Sequence, residues 1–131
     1  MDIVVDAIDS VIAKVKILAY LYHKHPNIKI VSSMGAGFRK DPRFIKTADI
    51  WKTHGCGLAK AVRNNLKKLN VGKGIMCVYS DEDTKNINKN NETEIGSLVT
   101  ITSIFGLYLA QLALEKTKEG EEYGNESIGK R

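Results

Sequence analysis

Cysteine and proline each occur only twice in the 131 residues, and tryptophan once. Two cysteines cannot build a disulfide framework, and no basic stretch followed by an apolar run opens the chain, so the sequence predicts a protein of the reducing cytoplasm. There is no CxxC, which excludes a four-cysteine zinc site. Neither GxGxxG nor GxxxxGK[ST] is found, so a nucleotide site complete within this chain is not expected. The apolar residues, 43% of the total against 27% charged, suffice for one ordinary globular core.

The net charge of +5 hides a division. Residues 1–80 carry 14 Lys/Arg against 5 Asp/Glu, whereas residues 81–131 carry 6 against 10. A polyanionic partner is therefore expected to meet the first part.

Ile3 to Ile8 is an apolar run of the buried parallel-strand type, closed by Asp9-Ser10 where a helix cap belongs. Val11, Val15, Leu18 and Tyr22 recur at helical spacing, and Pro26 stops that helix. Ile28, Ile30 and Val31 supply a second strand, giving a βαβ unit with parallel strands. Met34 to Pro42 reads as a loop, Arg43 to Ile50 as a strand, and Ile75 to Ser80 as another. Between them Leu58, Val62, Leu66 and Leu69 form a helical stripe, with Lys60, Arg63 and Lys67 on another face of the same helix. Residues 81–94 are polar and contain four asparagines, which predicts a flexible surface insert.

Ile95 to Leu114 is uncharged over twenty residues, long enough to cross a bilayer. Gly96, Ser97, Thr100, Thr102, Ser103, Gly106 and Gln111 dilute it, and both flanks are acidic, so a core or dimer-interface helix is expected instead of stable membrane insertion. The stretch 119–131 reads as a charged tail and 1–118 as the folded unit. The fold class that results is α/β, a mostly parallel Rossmann-like sheet with a long C-terminal helix.

Four features could carry chemistry. Asp9 ends the first strand, where open α/β sheets bind ligands, and so could hold Mg²⁺ or a ribose, or could merely cap the helix. Gly35-Ala36-Gly37 could approach a phosphate or form only a turn. His54 and Cys56 share a Gly-bordered loop and could supply a nucleophile or a plain loop thiol, whereas Cys77 fits a buried strand and His23 and His25 an exposed helix end. Arg39, Lys40 and Arg43, close in sequence to Lys60, Arg63 and Lys67, could track a phosphate backbone or be a solvated face.

Several segments together carry a resemblance: Asp2 to Val11, Ile30 to Gly37, Asp41-Pro42, Ala48 to Ile50, Lys52-Thr53, Leu58-Ala59, Val62-Arg63 and Val78 to Ser80. The chain resembles the C-terminal half of the tRNA threonylcarbamoyladenosine dehydratases of the ThiF/HesA/MoeB superfamily, relatives of ubiquitin-activating enzymes. Asp6 to Ser10, Ser32 to Gly37 and Ala48 to Ala59 are its specific parts. The resemblance implies an enzyme that uses ATP and Mg²⁺ to activate and cyclise a threonylcarbamoyl group on a tRNA adenosine. It places Asp9 and Ser10 on the family's Asp-Ser/Asn motif beside the ATP phosphates and the metal. Lys14 falls where relatives carry a basic residue, and Cys56 falls on a cysteine that precedes Pro-Leu-Ala, here with Gly57 in place of the proline. The expected catalytic residues are therefore Asp9 and Cys56. Implied partners are tRNA, a second copy of the chain and a sulfur-transfer protein. Family members begin with a Gly-rich nucleotide-binding half that precedes the strand opening this chain, so a half-enzyme that needs its N-terminal half is expected. Adenylation of a ubiquitin-like sulfur carrier and a non-catalytic fragment are the two alternatives.

Overall fold

A computed structural model describes the backbone of residues 2–35, 39–83 and 94–128, and the side chains of 2–35, 39–83 and 101–118. Strand β1 (Ile3–Asp6) feeds helix α1 (Val11–Lys24), which returns the chain to β2 (Lys29–Ser33). A 3-10 turn at Pro42–Phe44 leads to β3 (Ile45–Asp49), and a second at Ile50–Lys52 leads to α2 (Gly57–Lys68). The chain then forms β4 (Ile75–Ser80) and the long helix α3 (Glu94–Ile128). The sheet has the order β1-β2-β4-β3, with β1, β2 and β4 parallel and β3 antiparallel to β4. This is the expected α/β architecture, mostly parallel with a long C-terminal helix.

Local chemistry sets the element ends. Ser10 caps α1 by accepting a hydrogen bond from the Ala13 N–H at 3.4 Å. α2 ends in a Schellman arrangement: Asn70 takes the left-handed φ of 58°, the Val71 N–H reaches the Leu66 carbonyl, and the Asn70 N–H reaches that of Lys67. The strand expected over Arg43 to Ile50 is shorter, because two aspartates turn the chain at its ends. Asp41 accepts from the Arg43 N–H and Asp49 from the Trp51 N–H, each capping a 3-10 turn.

Two cores flank the sheet. Val15 and Leu18 of α1, with Ala59, Val62 and Leu66 of α2, pack on Ile30, Ile75 and Cys77. On the other face Ile101, Phe105, Leu109 and Leu112 of α3 cover Val31, Ile45 and Val78. Alternate residues of β2 and β4 thus serve opposite cores, as strands buried on both faces must. Ile101 to Leu112 packs in a core, as expected for the uncharged segment, and among the described residues no helix is long and apolar enough to cross a membrane. The helix continues to Ile128, through most of the stretch read as a charged tail. Of the insert expected at 81–94, residues 84–93 lie outside the described residues.

Candidate active site at the carboxyl end of the sheet

The carboxyl ends of β1, β2 and β4 gather the polar residues of the sheet, and the N-termini of α1 and α2 open at the same end. The first strand closes at Asp6, not at Asp9. One Asp6 oxygen accepts the Ile8 N–H at 2.9 Å, which bends the chain out of β1. The other accepts the Lys14 ammonium at 2.6 Å and the Ser32 hydroxyl at 2.6 Å. Lys14 also donates to the Ser33 carbonyl at 2.9 Å and to Ser32 Oγ at 3.4 Å, so each of its three protons faces an acceptor. Both side chains of this pair are sealed from solvent, at 0% and 1% exposure. A buried charge pair of this kind is tolerated when every donor and acceptor is met, and here it ties the ends of β1 and β2 to the first turns of α1.

Asp9 and Ser10 stand exposed on the turn that this pair fixes. Asp9 therefore remains available to a ligand, and the capping role goes to Ser10. Lys14, expected beside a cofactor, is instead committed beneath the turn. Asp6 and Ser32, its partners, open two of the specific parts of the resemblance, but the sequence attaches no role to either. The available signal was a carboxylate at the end of an apolar strand, eight residues before a lysine on the apolar side of the next helix. Among the described residues no group of three His, Cys, Asp or Glu could hold a metal ion, so Asp9 offers a single carboxylate. That donor set suits Mg²⁺, which keeps several waters and shares its coordination with substrate phosphates.

Gly35 has a φ of +86°, and a Cβ there would stand 3.0 Å from a Leu58 methyl, so glycine serves both the turn and the approach of α2. Ala36 and Gly37 lie outside the described residues. Cys56 is buried and caps α2: its sulfur accepts the Ala59 N–H at 3.5 Å and lies 3.8 Å from the Met34 carbonyl. A nucleophilic role would require the first turn of α2 to open. Cys77 is fully buried, as expected, and burial pushes its thiol well above the usual range. The second polar group at this end joins β3 to β4: Asp81 receives the Lys46 ammonium at 2.5 Å, with His54 Nδ1 at 3.6 Å. The Lys46 ammonium is held above its ordinary pKa by this hydrogen bond.

The six basic residues expected to share one surface are distributed. Arg39 donates to the Ser80 carbonyl at 3.3 Å, at the carboxyl end, and the Lys40 N–H donates to Glu82. Arg43 is exposed but paired with Asp41 at 2.6 Å, which raises its pKa and lowers that of the carboxylate. Arg63 turns back onto the Thr53 carbonyl at 3.0 Å and onto its hydroxyl. Lys60, in the first turn of α2, is exposed, whereas Lys67 projects from the last turn, at the opposite end of the sheet. His23 and His25 are exposed as expected, and His23 Nε2 reaches the Leu69 carbonyl at 2.8 Å.

The sequence is 35% identical over 97 residues to the tRNA threonylcarbamoyladenosine dehydratase of Bacillus subtilis, covering 74% of this chain and 37% of the relative. It is 40% identical over 86 residues to the Escherichia coli enzyme of that name, covering 60% and 31%. The crystal structure of the E. coli dehydratase TcdA in complex with AMP superposes with a TM-score of 0.70 at 30% identity, over 92% of this chain and 50% of that one. The chain is a relative of the tRNA threonylcarbamoyladenosine dehydratases. A second structure, described as TcdA (CsdL), gives a TM-score of 0.74 at 32% identity over 93% and 52%. The chain thus spans about half the length of these dehydratase structures and 37% of the B. subtilis protein. No family model matches the sequence.

Proposed function

We propose that this chain supplies the carboxyl-end portion of an ATP-dependent tRNA-modifying enzyme. The enzyme activates the carboxylate of a threonylcarbamoyl group on a tRNA adenosine and closes it into a ring. The observation that carries the reading is the exposed Asp9 beside the N-terminus of α1, fixed from below by the Asp6–Lys14 pair, in a relative of a dehydratase that binds AMP.

ATP supplies the leaving groups: the carboxylate displaces pyrophosphate, a nitrogen of the same group then expels AMP, and the oxygen formally lost as water departs on AMP. The chain's residues bind and orient. Asp9 is the carboxylate that would hold a hydrated Mg²⁺, which when bound would screen phosphate charge. Ser10 orders the first turn of α1, whose free N–H groups favour a negative phosphate at that position. Lys14 acts through Asp6 and so is a positioning residue. Cys56 serves as the cap that seats α2 beside the β2 loop. In this reading Arg39, Lys40 and Lys60, at this end of the sheet, meet the tRNA beside the modified nucleoside.

The reading requires a Gly-rich nucleotide-binding half as partner, since the sequence contains neither GxGxxG nor GxxxxGK[ST] to cradle the phosphates. A second copy is assigned to the outward face of α3, where Ile104, Leu107, Tyr108 and Gln111 line an apolar recess of about 290 Å³ and Leu107 is 70% exposed. The test is conversion of threonylcarbamoyladenosine in tRNA to its cyclic form, followed by mass spectrometry of the nucleosides. Conversion by the chain combined with the N-terminal half of a relative, and not by either piece alone, is expected. Absence of conversion in the mixture, with adenylation of a sulfur-carrier protein instead, would overturn it.

A further inference from the structure

The end of the sheet opposite the candidate active site carries a cluster of cations that the active-site reading does not use. A cavity of about 370 Å³ opens there, lined by Tyr22, Pro26, Ile28, Lys29, Lys73 and Gly74 among others. Three contacts bring the neighbouring elements to its rim. His23 Nε2 meets the Leu69 carbonyl at 2.8 Å and so joins the last turns of α1 and α2. Trp51 Nε1 donates to the Gly72 carbonyl at 2.8 Å, and the Gly74 N–H donates to Asp49 at 2.7 Å. Those last turns carry Lys24, Lys67 and Lys68, and Lys29 and Lys73 line the cavity itself.

Four of the five lysines are exposed and Lys29 is half-buried, and none is held in an ion pair among the described residues. At the other end Arg43, Lys46 and Arg63 differ, each committed to a neighbour within the chain, while Lys60 is exposed. On the elements that build the cationic end, Asp2 and Asp49 are the acidic residues, and the Asp49 carboxylate is occupied by the backbone N–H groups of Trp51 and Gly74. Lysines in a last helical turn offset the helix dipole, but Lys29 and Lys73 stand on a strand and a loop and have no dipole to offset.

We infer that this cationic end is an RNA-binding surface, with Lys24, Lys29, Lys67, Lys68 and Lys73 on successive phosphates and the cavity taking one unpaired nucleotide. The cavity falls within the size range of small-ligand sites, with an aromatic ring and a proline as its apolar wall and ammonium groups at its rim. That combination suits a stacked base with its phosphate. The inference rests on the tRNA substrate proposed above and adds where the remainder of that RNA lies. A parallel strand of six residues spans about 20 Å, so one RNA stem-loop can engage both ends.

The experiment measures fluorescence anisotropy of a labelled tRNA transcript with the 131-residue chain between about 50 and 200 mM KCl. The double variant Lys29→Glu/Lys73→Glu is expected to weaken binding at least tenfold and to flatten the log–log salt slope by about 2, one unit per phosphate contact. Lys16→Glu, on the exposed side of α1, is expected to leave both unchanged. Circular dichroism melting shows whether the variants stay folded, and Lys29→Gln/Lys73→Gln gives a milder pair if the glutamates disturb the cavity. A loss that follows Arg43→Glu/Lys60→Glu and spares the Lys29/Lys73 pair would overturn the inference. So would displacement of the RNA by polyglutamate at equal charge, or no binding at the lowest salt. Binding needs neither ATP nor the modified nucleoside, so its failure is separable from failure of the dehydration assay.

Discussion

Replacing Lys14 by methionine keeps the volume of the stem but removes the ammonium that neutralises Asp6. The Asp6 carboxylate would keep the Ser32 hydroxyl and the Ile8 N–H, yet its charge would sit uncompensated at 1% exposure. Breaking one side of such a pair costs about 3–5 kcal/mol, a large part of the 5–15 kcal/mol that holds an ordinary domain together. At about 3–5 °C per kcal/mol for a chain of this size, Tm should fall by roughly 9–25 °C. The double variant Asp6→Leu/Lys14→Met removes both charges, and well-packed apolar replacements of buried pairs are often close to neutral. It should therefore be more stable than the sum of the single losses, with a coupling of at least about 2 kcal/mol. Urea unfolding of the four species, followed by circular dichroism, closes the cycle. Additive single effects, or a Lys14→Met loss below about 1 kcal/mol, would refute the reasoning that this pair anchors the β1–α1 turn.

Native protein should react with iodoacetamide at neither Cys56 nor Cys77 until urea unfolds it, because both thiols are buried; rapid labelling of Cys77 would contradict the packing of β4. Burial raises the Cys77 thiol above its ordinary 9.0 and also raises Tyr79, so the unfolded chain gives up protons that the native one keeps, and the urea midpoint should fall as pH rises above about 9. The Lys46–Asp81 pair acts in the same direction at higher pH: its contribution is complete below the ordinary lysine value of 10.5 and is lost as pH rises through the raised native value. Lys46→Met should flatten that last part of the alkaline decline. Gly55→Ala should cost about 1–3 kcal/mol, since φ is +69° and the new methyl would meet the Asp81 Cβ at 2.9 Å; a neutral effect in thermal melts would show that the 53–56 loop does not rest on Asp81.

Regular structure was legible wherever apolar periodicity and punctuation agreed. The Ser10 cap, the Pro26 stop and the run Ile75 to Ser80 define α1 and β4 in the sequence as in the structure. Boundaries set by side-chain-to-backbone bonds were not: Asp41 and Asp49 shorten β3, and Asp6 ends β1 early, because a carboxylate's choice of N–H depends on the local turn. The same aspartate explains what was misplaced in the site. Lys14 lies on the apolar side of α1, which marks it as buried, but its reach to Ser32 and Ser33 depends on β2, nearly twenty residues away in the chain. Asp9 is exposed on the turn, three residues beyond Asp6, where β1 ends. The basic residues were grouped by proximity in sequence, whereas the fold sends the two ends of α2 to opposite ends of the sheet and couples Arg43 and Arg63 to internal partners.

The central claim is that Asp9 faces the metal and phosphates of a nucleotide site shared with an N-terminal half. ATP–pyrophosphate exchange tests it most directly, measured for the isolated chain, for the chain mixed with the N-terminal half of a relative, and for the same mixture carrying Asp9→Asn. Exchange in the unmodified mixture alone, abolished by Asp9→Asn with an unchanged melting temperature, is the predicted result. Exchange by the isolated chain at a comparable rate, or full activity of the Asp9→Asn mixture, would contradict the account.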